Sequence, residues 1–225
     1  MDTINYLGLV VFDLDGTLID SGVQIAGALE AAITQAGLEN LPSRPGLAVA
    51  VGPPLTTMAA YSLGLAAQDT RVLDVVSRFA RLYDPVAAQA CVFDGAHEVL
   101  HALCAAGFAL ALATNKRRAP TLSILQAHGW EAYFEAGVYG VEDFGPKARK
   151  SGALAQAFER AGRPSLCAMV GDTDSDLQAC KGAHFDRFIL ARWGAMGWVP
   201  PVESVPFVYS PTDFSELVVM ARTWL

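Results

Sequence analysis

The sequence predicts an α/β fold, a parallel sheet covered by helices on both faces, with an all-helical segment inserted after its first strand. Three observations predict it. Continuous apolar runs at 9–12, 108–113 and 166–170 each end abruptly in polar residues. Helical patterns alternate with the later runs, and strands apolar on both faces belong to parallel sheets buried between helix layers. From about residue 20 to 90 no good strand appears, so that block reads as helical.

The elements follow in order. After the run at 9–12, residues 21–37 carry Ile25, Leu29, Ile33 and Ala36 at helical spacing, with Gly37 as a C-cap. Pro42, Pro45, Gly52, Pro53 and Pro54 then break the chain into loops and short helices up to about 64. A further helical pattern occupies 69–83. Ala96, Val99, Leu100, Leu103 and Cys104 form a helix stripe that Gly107 ends, and "FALALA" follows as a buried strand stopping at Thr114-Asn115. A helix at 117–128, a short strand near 136–140, and a helix at 150–161 come next. "LCAMV" is the next strand, ending at Gly171-Asp172, before a helix at 174–183 and a strand at 188–191. Ser210-Pro211-Thr212-Asp213 reads as a capping box for a last helix facing inward through Phe214, Leu217, Val218, Ala221 and Trp224. The expected division is a Rossmann-like core at 1–19 and 90–225, with a helical insertion at 20–89.

Composition narrows the function classes. Hydrophobic content of 52% and charged content of 17% support a sizeable core. No apolar stretch approaches the roughly 20 residues that cross a bilayer, so no membrane partner is expected. The N-terminal stretch "MDTINYLGLVVFD" lacks the features of a secretory signal, and a cytoplasmic location is expected. A net charge of −7 without a basic block disfavours nucleic acid. Cys91, Cys104, Cys167 and Cys180 are too dispersed for a disulfide framework or zinc site. Nothing in the sequence sets an oligomeric state.

The chemistry gathers at strand ends, where open α/β sheets bind ligands. In "VVFDLDGTLIDS" (10–21), Asp13 and Asp15 are two residues apart, so extended backbone points both the same way. Like charges that close raise each other's pKa or need a cation between them. An acidic turn would also explain "DG". Thr114-Asn115 and Gly171-Asp172 close two other strands, and adjacent strands would bring all three ends to one rim.

These segments resemble the signatures of the haloacid dehalogenase superfamily, in its phosphatase branch. "VVFDLDGTLIDS" resembles the first signature, "LATNK" (112–116) the second and "MVGDTDSDLQAC" (169–180) the last. The block between the first two is similar to that group's helical cap, and "VGPPL" (51–55) resembles a cap segment of phosphoglycolate-phosphatase-like relatives. The resemblance implies that Asp13 is a nucleophile forming an aspartyl-phosphate and that Asp15 is the acid–base partner. It implies Mg2+ held by Asp13, the backbone carbonyl of Asp15, and Asp172, with Asp176 as a ligand or as an orienter of ligands. It further implies that Thr114 and Asn115 bind the phosphoryl group, with a lysine beside them. Counting back from "AFERAG" (157–162) selects Lys150 for that lysine, and Lys147 is the other choice. Asp174 reads as a first-turn helix acid, and Asp20 with Ser21 as the opening of the first inserted helix.

The expected activity is therefore magnesium-dependent hydrolysis of a small phosphomonoester. Phosphoglycolate is the first candidate, and a nucleotide or sugar phosphate the next. A phosphomutase would use the same carboxylates, and a non-catalytic relative would keep the fold alone. A dehalogenase has no use for Asp15. Arg44, Arg71, Arg78 and Arg81 are candidates for holding a second anionic group, with surface exposure as their other reading.

Overall fold

The computed structural model describes residues 6–39, 52–144, 149–194 and 208–223. The strands in chain order are β1 (Gly8–Phe12), β2 (Ile19–Asp20), β3 (Cys91–Val92), β4 (Phe108–Ala113), β5 (Val138–Tyr139), β6 (Cys167–Gly171), β7 (Arg187–Leu190) and β8 (Val208–Tyr209). The helices are α1 (Gly22–Gln35), α2 (Leu55–Leu63), α3 (Thr70–Tyr83), α4 (Ala96–Ala105), α5 (Arg118–His128), α6 (Lys150–Arg160), α7 (Asp174–Gly182) and α8 (Phe214–Arg222).

The main sheet runs β5-β4-β1-β6-β7-β8, and each neighbouring pair is parallel. Each β1 side chain is buried because helices cover both faces of this central strand. The period of two is still visible in where the side chains go. Val10 and Phe12 join Leu110, Leu112, Ala168 and Val170 on one face, under Leu100 and Leu103 of α4 and Phe214 and Leu217 of α8. Leu9 and Val11 join Ala109, Ala111 and Met169 on the other, against Leu154 and Ala157 of α6 and Leu177 of α7.

The registers bring three strand ends together. Phe12 pairs with Leu112 on one side and Val170 on the other. The residues that follow, Asp13, Thr114 and Asp172, therefore leave the sheet along one edge. The Asp13 N–H still donates to the Val170 carbonyl at 2.9 Å, so the ladder holds the first aspartate's backbone.

Between Asp20 and Cys91 every described regular element is helical. Asp69 caps α3 by accepting the Arg71 N–H, and Val72, Val75, Phe79 and Tyr83 form its buried stripe. That stripe packs into the same apolar cluster as Val10 and Phe12. The chain enters and leaves the helical block through β2 and β3, an antiparallel pair with Ile19 opposite Val92 and Asp20 opposite Cys91.

Several elements differ from expectation. β2, β3 and β8 are two residues each, too short for any periodicity to reveal. Asp20 lies in β2 rather than in a helix cap. The capping box of α8 is built by Asp213, which accepts the Glu216 N–H, while Glu216 accepts the Thr212 N–H. Trp224 lies outside the described residues. The four cysteines are free, and Cys91 is exposed rather than part of the core.

Candidate active site

Asp13 leaves β1 with its side chain almost fully buried, 4% exposed. Its Oδ1 lies 3.0 Å from the Lys150 ammonium. Lys150 is the first residue of α6, and at 2% exposure it is a buried cation. The same ammonium donates to Asp176 Oδ1 at 2.6 Å. The other Asp176 oxygen accepts the Thr173 N–H at 3.0 Å and the Thr173 hydroxyl at 2.6 Å, closing a capping box on α7. Asp176 thus spends its oxygens on Lys150 and on its own helix.

Asp172 completes the buried group. Oxygens of Asp13, Asp172 and Asp176 all lie within 4.8 Å of one another. Two glycines permit this crowding. A Cβ on Gly16, whose φ is +77°, would stand 2.2 Å from Asp172 Oδ2; one on Gly171 would stand 2.4 Å from the Asp176 Cβ. Thr17 reaches Asp172 Oδ1 at 3.5 Å, and the Thr17 carbonyl accepts from the Trp193 indole N–H at 2.8 Å.

Burial is the largest influence pushing the Asp13 carboxyl above its usual range, and the Asp176 charge adds to it while Lys150 opposes it. Asp172 is raised by burial, then by Asp176 and Asp13. Burial alone would lower the Lys150 ammonium, but Asp13 and Asp176 outweigh it and raise it. Three clustered carboxylates with one ammonium leave a surplus of negative charge, which low-dielectric surroundings penalise. An all-oxygen donor set with surplus negative charge fits a hard divalent cation such as Mg2+. Asp13 and Asp172 are the residues with carboxylate oxygens available to hold one.

Asp15 has different neighbours. Its carboxylate lies outside the Asp13–Asp172–Asp176 group and meets the Lys116 ammonium at 2.9 Å. The same Oδ1 accepts a short hydrogen bond from the Ser21 hydroxyl. Ser21 stands at the N-cap of α1 yet makes no cap bond with its side chain. The Lys116 ammonium also donates to the Tyr83 hydroxyl at 2.7 Å and sits 4.5 Å from the Tyr83 ring centre. Burial would lower the Lys116 ammonium, but Asp15 and Tyr83 raise it overall. Next in sequence, Arg117 pairs with Asp84.

Thr114 is buried, and its hydroxyl accepts the Lys116 N–H at 3.2 Å rather than capping α5, whose N-cap is Arg117. The Asn115 amide donates to the Gly52 carbonyl at 2.8 Å and reaches the Ser175 hydroxyl at 3.3 Å. Asp13, Asp15, Thr114, Asn115 and Lys116 all line one cavity of about 240 Å³. The geometry thus brings together Asp13, Asp15, Thr114, Asn115, Lys150, Asp172 and Asp176. Asp174 accepts from Gln178 on its own helix.

Among the candidate arginines, Arg71 pairs with Asp69, Arg78 with Asp74, and Arg81 donates to Ser77, so each is spent on α3 or its cap. Arg44 and Lys147 lie outside the described residues. Sequence reasoning passed over Lys116, Tyr83 and the Ser21 contact. Lys116 had a signal, since it follows Asn115 directly at a strand end. Tyr83 had none, because it sits in the apolar stripe of an ordinary amphipathic helix.

Residues 7–184 match the family model described as haloacid dehalogenase-like hydrolase. The chain belongs to that family. It is 33% identical over 221 residues to the probable phosphatase IndB of Dickeya dadantii, covering 96% of this chain and 94% of that one. It is 31% identical over 189 residues to the phosphoglycolate phosphatase of Aquifex aeolicus, covering 83% and 85%. Among solved structures, the Mycobacterium tuberculosis protein tyrosine kinase A superposes with a TM-score of 0.76 at 28% identity, covering 98% of this chain and 99% of that one. This chain is therefore a haloacid dehalogenase-like hydrolase whose relatives carry more than one activity name.

Proposed function

We propose that this hydrolase is a phosphatase that cleaves small phosphomonoesters with the help of Mg2+, through an aspartyl-phosphate on Asp13. The observation that carries the reading is the placement of Asp13. It is a buried carboxylate at the end of the central strand, on the cavity floor, with Lys150 3.0 Å from one oxygen and Asp15 beside it.

A carboxylate oxygen of Asp13 attacks phosphorus, the bond from phosphorus to the leaving oxygen breaks, and Asp15 gives that oxygen a proton. Asp15 then takes a proton from water, the water oxygen attacks phosphorus, and the bond to Asp13 breaks to release inorganic phosphate. Thr114, Asn115 and Lys150 orient and neutralise the phosphoryl oxygens. Bound Mg2+ would supply charge neutralisation of the entering phosphate at an otherwise acidic rim. The helical block between β2 and β3 serves as the cap over this site, closing the cavity opposite the sheet edge.

Phosphate release from p-nitrophenyl phosphate, with and without Mg2+, tests the reading. The wild-type protein is expected to release phosphate only with the metal, and Asp13→Asn to lose activity by roughly 10³-fold or more. Wild-type turnover by Asp13→Asn would remove Asp13 as the nucleophile. Transfer of phosphate between positions of a sugar bisphosphate, without net release, would favour a mutase instead.

A further inference from the structure

The cavity over Asp13 has two unlike sides. Its floor is polar, as described. Its roof is built mainly by apolar side chains, Ile25 of α1, Leu55 and Met58 of α2, and Val76 and Phe79 of α3, with Thr56 of α2 as a polar neighbour and the acidic Glu142 elsewhere on the lining. Phe79 also stacks on Tyr83, with ring centroids 5.1 Å apart, which fixes one flat wall.

Among the described residues, the cations lining this cavity are already engaged. Lys116 holds Asp15 and Tyr83, and Arg117 holds Asp84. None of Arg71, Arg78 and Arg81 lines it. A substrate with a second anionic group would have to bring that group against the apolar roof, and a charge leaving water without a partner is strongly disfavoured. Size points the same way. An apolar cavity of about 150 Å³ is enough to take up benzene. The 240 Å³ here holds a body of that size together with a phosphoryl group on the floor.

Taking Asp13 as the site of phosphoryl transfer, we infer that the preferred substrate is a phosphomonoester whose alcohol carries an uncharged, ring-sized apolar or aromatic body. That body seats against Met58, Val76 and Phe79. A two-carbon acid phosphate, the first candidate from sequence, lacks such a body and carries a carboxylate instead.

Ethyl phosphate, benzyl phosphate and phosphoglycolate test this, because all three are esters of primary alcohols and differ mainly in the body they carry. With Mg2+, kcat/KM for benzyl phosphate should exceed that for each of the others by at least about tenfold. Phe79→Ala should shrink the benzyl-to-ethyl ratio several-fold. Leu55 lines the roof but is only partly buried, so Leu55→Lys should fold normally and raise phosphoglycolate relative to benzyl phosphate. Equal turnover of the three, or a preference for phosphoglycolate, overturns the inference while leaving the phosphatase reading in place. If none releases phosphate, that reading fails, and calorimetry with benzylphosphonate and ethylphosphonate decides the pocket by itself. Tighter binding of the benzyl compound upholds the inference; equal or absent binding overturns it.

Discussion

Lys116 and Asp15 form an ion pair at 2.9 Å, and Tyr83 from the helical block accepts a hydrogen bond from the same ammonium at 2.7 Å. One cation therefore links the proposed proton carrier to the end of α3. Asp15 is further held by Ser21, at the start of α1. The orientation of Asp15 thus depends on both ends of the helical insertion.

Lys116→Met tests that dependence. If Lys116 positions Asp15 for proton donation, kcat/KM for an alkyl phosphate should fall by roughly 10- to 100-fold. With p-nitrophenyl phosphate the leaving group departs without a proton, so kcat/KM should change by less than about threefold. A uniform loss with both esters would make the lysine a structural residue only. Tyr83→Phe should move the alkyl reaction in the same direction but less, since the ion pair survives.

Lys150 stands between Asp13 and Asp176 at 3.0 and 2.6 Å with nearly no exposure. Removing one partner of a buried ionic group leaves uncompensated charge, which costs about 3–5 kcal/mol. Lys150→Met should therefore unfold at distinctly lower urea concentration than wild type, as well as losing activity. The deficit should narrow at low pH, where the orphaned carboxylates take up protons.

The raised carboxyls also predict how the metal-free protein responds to pH. Asp13 and Asp172 bind protons more tightly folded than unfolded, chiefly because burial disfavours their charged forms. Such groups contribute stability that is complete below the unfolded carboxylate pKa, near 4, and is lost as pH rises through their higher folded values. In EDTA, the denaturation midpoint should fall as pH climbs from about 4 through neutrality. Added Mg2+ should flatten that slope, since a cation takes the place of the protons. A midpoint insensitive to Mg2+ at pH 8 would contradict metal binding by this cluster.

Gly16→Ala isolates the effect of backbone shape. At φ +77° a Cβ is strained, and here it would also stand 2.2 Å from Asp172 Oδ2. The strain alone is worth about 1–3 kcal/mol. Displacement of Asp172 should cut phosphatase activity by roughly 100-fold or more. Differential scanning calorimetry and the phosphate-release assay check the two effects separately.

Much of this was legible in the linear chain. Runs such as "FALALA" need both faces covered, so they announced buried parallel strands, and α3 was readable from 69–83 because its stripe repeats with helical period. β2, β3 and β8 were not readable, since two residues carry no period. Asp13, Thr114 and Asp172 stood out because each follows an apolar strand directly, and Asp15 because it lies two residues beyond Asp13. Lys116 and Tyr83 meet across 33 residues, and neither neighbourhood names the other.

By itself, the sequence determined the strand–helix alternation and the residues at the strand ends, because periodicity and abrupt polarity changes are local properties of a chain. The tertiary structure alone decided how those ends are partnered: Lys150 between Asp13 and Asp176, Lys116 between Asp15 and Tyr83, and an apolar roof over a polar floor. The reason is that charge compensation and cavity shape depend on distances across the fold, set by sheet register and helix packing. Sequence spacing does not encode those distances.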